Sequence, residues 1–405
     1  MDKQTVNQTR LRVLFPSITV MVLLGIVFSW SVFVAPLEEA LDLSRDNSSL
    51  VYALSISFYC LGGMPGGMIA KRFGFSWGLG FCALMFAGGF AVFASFPSLF
   101  TLCLGYGVLG GAGVGLGYNL VLNCISKWYP SGYGKISGLL LMCFAGGSFV
   151  LSLACDAMIR LTGWRNTFYM LSILFAVVIG SCACFIKAPA YSANDTNGVT
   201  AQTDTLSRTP LQMLGTLTFY LIFIWFTLFS IAGTTLIGNA APLALELGVP
   251  DLYTAFVPGL VALCNGLGRI IYGSMLDKTE AAKIQIVLSV EMIAGVLCLL
   301  ICVLTEKMAF LFVGCALFGN SFGGSAIYCP NIIIKEFGKK YYANNLPLLN
   351  MHVIVASLAG PVSIGKLYEK SGSYTPALWL FLLASSISLL VACIYRHSKV
   401  RKSKT

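Results

Sequence analysis

Charge is scarce in this 405-residue chain: Asp, Glu, Lys and Arg make up 10% of it, against about 25% in soluble domains. Histidine is scarcer still, with only His352 and His397. The 14 cysteines form no C-x-x-C pair and have no histidine neighbours, so they read as small buried side chains and not as a zinc site or a disulfide framework. No G-x-x-x-x-G-K-[ST] loop occurs, which leaves nothing to cradle the phosphates of ATP. Gly105-Tyr106-Gly107-Val108-Leu109-Gly110 does satisfy the dinucleotide pattern G-x-G-x-x-G, but no strand precedes it and it lies inside an apolar run. Its glycines, with Gly111, Gly113, Gly115 and Gly117 behind them, suit close helix approach instead. Lacking clustered histidine, cysteine or carboxylate for chemistry, the chain reads as something other than an enzyme, and no cofactor is expected.

What is present is apolar length. The chain is 57% hydrophobic, with a mean hydropathy of +0.82. A bilayer core of about 30 Å takes roughly 20 helical residues. Cutting the sequence where charge, proline and asparagine cluster leaves twelve runs of that length, at 13–36, 50–70, 76–96, 98–122, 136–159, 166–186, 214–240, 254–276, 284–305, 308–333, 346–366 and 375–395. None alternates polar and apolar residues as a barrel strand does. The expected fold class is therefore an all-α membrane protein of twelve transmembrane helices. The first run is not followed by a small-residue cleavage site, so it reads as a helix and not as a cleavable signal.

Lys and Arg set the orientation. With the N-terminus inside, the inner segments carry 19 of the 26 basic residues and the outer loops six, Arg45, Arg160, Arg165, Lys307, Lys366 and Lys370. Both termini are therefore expected on the cytoplasmic side of the cell membrane, plasma or bacterial inner. The net charge of +10 is then a topology signal and does not point to nucleic acid. The polar stretch KAPAYSANDTNGVTAQTDTLSRTP, 187–210, reads as a cytoplasmic linker between a six-helix half at 1–186 and another at 211–405. The halves echo each other: GGMIAKRFG after the second run aligns with YGSMLDKTE after the eighth, placing Gly67 with Gly273 and Lys71 with Asp277. Such duplication marks a large class of secondary transporters that bind substrate between the halves near the midplane. The lipid bilayer is the expected partner, and a monomer the expected unit.

Two resemblances sharpen this. Gly66-Gly67-Met68-Ile69-Ala70-Lys71-Arg72-Phe73-Gly74 is similar to G-x-x-x-D-R-x-G, the hallmark loop of the major facilitator superfamily. Lys71 stands where that loop usually has the Asp that helps lock the inner gate, so the resemblance implies gating by Asp277, with Lys71 and Arg72 in the first-half copy. Three further stretches, GIVFSWSVFVAPL (Gly25–Leu37), TPLQMLGTLTFYLIFIWFTLFSIAGTTLIGNAAPLA (Thr209–Ala244) and NGLGRIIYG (Asn265–Gly273), together resemble the oxalate/formate antiporter family, relatives of the monocarboxylate transporters. Phe28 stands where that family has Tyr. The resemblance implies a twelve-helix carrier working by alternating access, with Arg269 binding a substrate carboxylate. Some relatives add a lysine in the eleventh helix, but here Val353 stands at about that position, beside His352, which argues for monocarboxylates such as formate, lactate or pyruvate over oxalate.

Arg269 is the one basic residue left over by the topology count. A guanidinium at mid-membrane costs about 2.5–3.5 kcal/mol, so it needs a partner or water. Two readings stand. Glu291, at the same depth of about 12 Å, could form a structural ion pair with it. Alternatively a substrate anion in a wet cavity could be held bidentately by the planar guanidinium, and the likeness to a carrier whose ninth helix is peripheral favours this second reading. His352 and Tyr328 fall in the same layer. His352 is either a hydrogen-bonded packing residue or a proton-responsive group suited to protons as coupling ion, and Tyr328 suits either packing or carboxylate contact. Trp30, Trp225, Asn239, Asn265, Tyr118 and Asn123 are candidate wall residues, for each of which core packing is the simpler account. Asp156 and Arg160, four residues apart, read as a local ion pair.

Overall fold

The computed structural model describes residues 3–130, 132–189, 207–249 and 256–402. Their chain order is α1 (Lys3–Leu24), a 3-10 turn (Gly25–Phe28), α2 (Ser31–Leu41), α3 (Arg45–Gly62), α4 (Gly66–Arg72), α5 (Phe75–Ser95), α6 (Leu99–Leu102), a π-helical stretch (Cys103–Gly110), α7 (Gly111–Trp128), α8 (Tyr133–Ala183), α9 (Pro210–Leu214), α10 (Leu217–Glu246), α11 (Phe256–Leu276), α12 (Ala281–Thr305), α13 (Met308–Phe337), α14 (Tyr342–Asn350), α15 (His352–Ser371) and α16 (Thr375–Lys402). Among the described residues nine helices are long and apolar enough to cross a membrane, and ten if the bent pair Leu50–Gly62 and Gly66–Arg72 counts as one span. α8 covers both the fifth and the sixth runs, which part at Gly163, where φ is 81°.

Local chemistry sets several boundaries. Ser44 caps α3 by accepting from the Asn47 amide, and Ser98 with Thr101 forms a reciprocal capping box at α6. The first run, expected as one helix, is broken. Gly25 packs so closely on α8 that a Cβ there would lie 2.6 Å from the Phe144 carbonyl oxygen, and the Ser29 hydroxyl donates to the Ser148 carbonyl at 2.9 Å. The G-x-G-x-x-G stretch is π-helical, a geometry that collects at functional or strained points.

The chain divides into two compact units, 1–210 with 336–351 and 211–335 with 352–405. In the first, Phe86, Phe90, Phe93, Phe168 and Phe175 form a fully buried aromatic core. α7 lies against α3 at backbone distance, since a Cβ on Gly115 would fall 2.0 Å from the Tyr59 carbonyl oxygen. The eleventh run opens with α14, which is distant in sequence from the first half and yet packs within this unit. Asn119 Nδ2 donates to both Gly63 O and Ala343 O at 2.8 Å, and the Tyr133 and Tyr342 hydroxyls meet at 2.9 Å. The end of the expected linker joins the same surface, Arg208 N donating to Phe337 O and Asn345 Nδ2 to Arg208 O, each at 3.0 Å. The second unit has its own core around Trp225, Phe226, Phe229 and Tyr328.

Candidate functional site

The second unit carries Arg269 near the middle of α11. Arg269 is only 9% exposed, and its Nε donates to Asn265 Oδ1, one turn back, at 3.1 Å. Asn265, a candidate wall residue, is thus a partner of the arginine. α11 is held tightly on α13 around this pair. A Cβ on Gly268 would lie 2.1 Å from the Asn320 carbonyl oxygen, and one on Gly323 would lie 1.9 Å from the Asn265 carbonyl oxygen. Only hydrogen at these positions lets the two backbones meet.

Glu291, the alternative partner of Arg269 in the structural reading, makes other bonds. Its Oε2 accepts from the Tyr272 hydroxyl at 2.5 Å and its Oε1 from Asn320 Nδ2 at 2.6 Å. Two neutral donors on α11 and α13 therefore satisfy both oxygens, as a carboxylate in an apolar surround requires. Reading the sequence missed Tyr272 and Asn320. The signal was there: Tyr272 lies one turn beyond Arg269, and Asn320 is a lone amide within an apolar run.

The remaining candidates of this unit sit in an aromatic cluster. Trp225 stacks on Phe229 at 4.6 Å, Tyr328 lies 5.5 Å from Trp225, and His352 lies 4.8 Å from Phe226. α12 supplies polar partners to it: Trp225 Nε1 donates to Ser289 Oγ at 2.8 Å, and the Tyr328 hydroxyl points to Gln285 Oε1 at 3.4 Å. Gln285 is fully buried, and its Nε2 has no hydrogen-bond partner among the described residues. The side chain of Asn239 lies outside the described residues.

In the first unit Trp30 packs on Tyr106 at 4.7 Å, whose hydroxyl donates to Ile26 O at 2.8 Å inside the broken first run. Tyr118 meets Tyr59 edge-on at 5.6 Å. Of the expected gating residues, Lys71, Arg72 and Asp277 are all exposed, and Arg72 lies over the Phe73 ring at 5.3 Å. What lies on α14 from the hallmark loop is its glycine: a Cβ on Gly67 would sit 2.7 Å from Asn344 Oδ1. The C-terminal end of α11 is closed by Lys335 Nζ, which donates to the carbonyls of Leu276 and Thr279. Asp156 and Arg160 pair at 2.9 Å on the exposed face of α8.

The sequence model of the Major Facilitator Superfamily matches residues 17–351. The chain belongs to that superfamily. It is thus a multi-pass membrane protein of a family of carriers, not enzymes. Similar proteins include an uncharacterised transporter of the same type, YhjX of Escherichia coli, 25% identical over 88% of both chains. Others are the oxalate:formate antiporter of Oxalobacter formigenes, 23% identical over 91% of this chain and 87% of that one, and mouse monocarboxylate transporter 11, 25% identical over 92% and 83%. These relatives agree with the resemblance read from Gly25–Leu37, Thr209–Ala244 and Asn265–Gly273. Among solved structures, the Escherichia coli fucose:proton symporter superposes with a TM-score of 0.67 at 14% identity, over 94% of this chain and 98% of that one. The proton:xylose symporter XylE gives 0.68 at 15% identity over 95% of each. At such identities they establish the fold.

Proposed function

We propose that this member of the superfamily carries small carboxylate anions across the cell membrane by alternating access, favouring monocarboxylates such as formate, lactate or pyruvate, with Arg269 as the anion anchor. The observation that carries this reading is a buried guanidinium on α11, oriented through Nε by Asn265, while the carboxylate of Glu291 is occupied by Tyr272 and Asn320. A planar guanidinium suits a carboxylate better than any other side chain does. The names of the antiporter and of the monocarboxylate transporter among the relatives supply the substrate class. His352 and Tyr328 are proposed as its neighbours, Trp225 and Phe226 as the aromatic wall behind them, and Asp277, Lys71 and Arg72 as gating residues. Both termini are proposed to lie on the cytoplasmic side, where Lys and Arg are in excess, and protons are proposed as coupling ion.

A second reading, exchange of oxalate for formate, draws on the antiporter relative. It demands a second cation, for which the eleventh run offers His352, its other basic residue being Lys366 at the far end. Uptake of labelled formate, acetate, lactate, pyruvate and oxalate into proteoliposomes, each competed by the others, tests both. Flux of a monocarboxylate that excess oxalate barely inhibits supports the first reading. Saturable oxalate uptake that dominates the panel supports the second, and binding without flux would make the protein a receptor.

A further inference from the structure

α12 is the helix that the sequence gives least reason to connect with substrate, yet its carboxylate is joined to both helices that fix Arg269. Glu291 accepts from Tyr272, which lies one turn from Arg269 on α11, and from Asn320 on α13. Asn320 also touches α11 directly, through its backbone: its carbonyl oxygen occupies the space that a side chain on Gly268, the residue before Arg269, would need. Three residues on, Gly323 abuts the Asn265 carbonyl, and Gly324 lies against the Tyr272 ring, where a Cβ would come within 2.4 Å of Cδ2. The run Asn320–Gly324 thus follows α11 from Asn265 to Tyr272, on both sides of Arg269. Glu291 ties the two helices together at that level.

We infer that Glu291 is a positioning residue for Arg269, acting through Tyr272 and Asn320 and never touching the anion. This rests on Arg269 being the anion anchor. The physical argument is directional. Glycine packing alone brings α11 and α13 together but leaves them free to slide and rotate against each other. A carboxylate that takes one hydrogen from each helix adds two short bonds that hold only at one rotation and one height. The arginine side chain emerges three residues before Tyr272, so a small rotation of α11 swings its guanidinium by more than a bidentate carboxylate contact tolerates.

Glu291 therefore acts on the affinity for the anion rather than on whether the unit folds. Tyr272→Phe removes a single hydroxyl, and Glu291→Gln keeps the shape but leaves one acceptor oxygen in place of two. In proteoliposomes, using whichever of labelled formate, lactate, pyruvate or oxalate the wild type takes up fastest, each variant is expected to raise KM about fivefold while kcat stays within about twofold. The double variant is expected to be no worse than the worse single one, because both lie on one path. In an Arg269→Lys background the KM change is expected to vanish, and Glu291→Asp, which keeps both oxygens, is expected to restore part of the affinity in the otherwise native protein. Additive losses in the double variant, or a fall in kcat at unchanged KM, would overturn the inference and leave Glu291 a structural residue. If Glu291→Gln fails to reach the membrane, Tyr272→Phe alone decides it. A wild-type protein that moves none of these anions would overturn both this inference and the carboxylate reading beneath it, whereas wild-type flux with an unchanged KM in Tyr272→Phe overturns only the inference.

Discussion

The two units solve the same problem, burying polar groups among apolar helices, in different ways. In the first, the interior polar contacts are neutral and end mainly on backbone carbonyls: Tyr106 on Ile26, Asn119 on Gly63 and Ala343, Ser29 on Ser148. In the second, a guanidinium, Arg269, is buried and a carboxylate, Glu291, is half-buried on α12. Arg269 is the only Lys, Arg, Asp or Glu that is buried among the described residues. Neutral bonds to carbonyls hold helices at a given separation without burying a charge. A charge in an apolar surround is retained only where something repays its desolvation. On the proposed reading, the second unit carries the chemistry and the first the shape.

The most severe way to break that contrast is to remove the charge. Arg269→Ala is expected to lower carboxylate uptake about a hundredfold or more, with protein still in the membrane, and Arg269→Lys to lose most of it, because an ammonium cannot copy a bidentate fork. Normal uptake by Arg269→Ala would return Arg269 to a packing role. Next in size, one cation should serve one carboxylate. Oxalate is expected to bind about tenfold more weakly than the best monocarboxylate, since its second carboxylate is left poorly paired in a site of low dielectric. Competition of unlabelled oxalate against labelled lactate or pyruvate uptake reads this directly.

The first unit is probed by Asn119→Ala. Removing the amide leaves the carbonyls of Gly63 and Ala343 without that donor, at a cost of about 1–3 kcal/mol. Thermal unfolding of the purified protein should fall accordingly, while KM for the anion is expected to hold within about twofold; a selective rise in KM would mean that the first unit also recognises substrate. The smallest expected effect concerns His352, packed on Phe226. If it is the proton-responsive group, uptake of an anion ionised throughout about pH 5–8 rises as pH falls, and His352→Gln flattens that slope. Superimposable profiles would remove it from the mechanism.

Arg269, the centre of the candidate site, stood out before the fold. A lone arginine in an apolar segment is conspicuous because its cost in lipid is so high, and the eighth-run motif around it carries its own likeness. Tyr272 and Asn320 were not conspicuous, because Tyr and Asn are ordinary in membrane helices until a carboxylate is seen between them. Asn265 was read as a wall residue, since its bond to Arg269 depends on side-chain direction as well as on the spacing of four. The twelve runs anticipated the helices but not their interruptions. At Gly25–Ser29 the break arises where α8 presses against a glycine and accepts from a serine hydroxyl, contacts from more than a hundred residues away.

By itself, then, the sequence determined the class of the protein: length and hydropathy dictate helices in a bilayer, while the distribution of Lys and Arg and the echo of GGMIAKRFG in YGSMLDKTE supply expectations for orientation and for two halves. These follow from composition and short-range order, which the linear chain contains in full. Only the tertiary structure decided that Glu291 bonds to Tyr272 and Asn320, that α14 packs with the first half, and that the hallmark loop presents Gly67 to it. Those outcomes depend on which backbones come close enough to touch, and that closeness is set by glycines and carbonyls whose meeting no local pattern encodes.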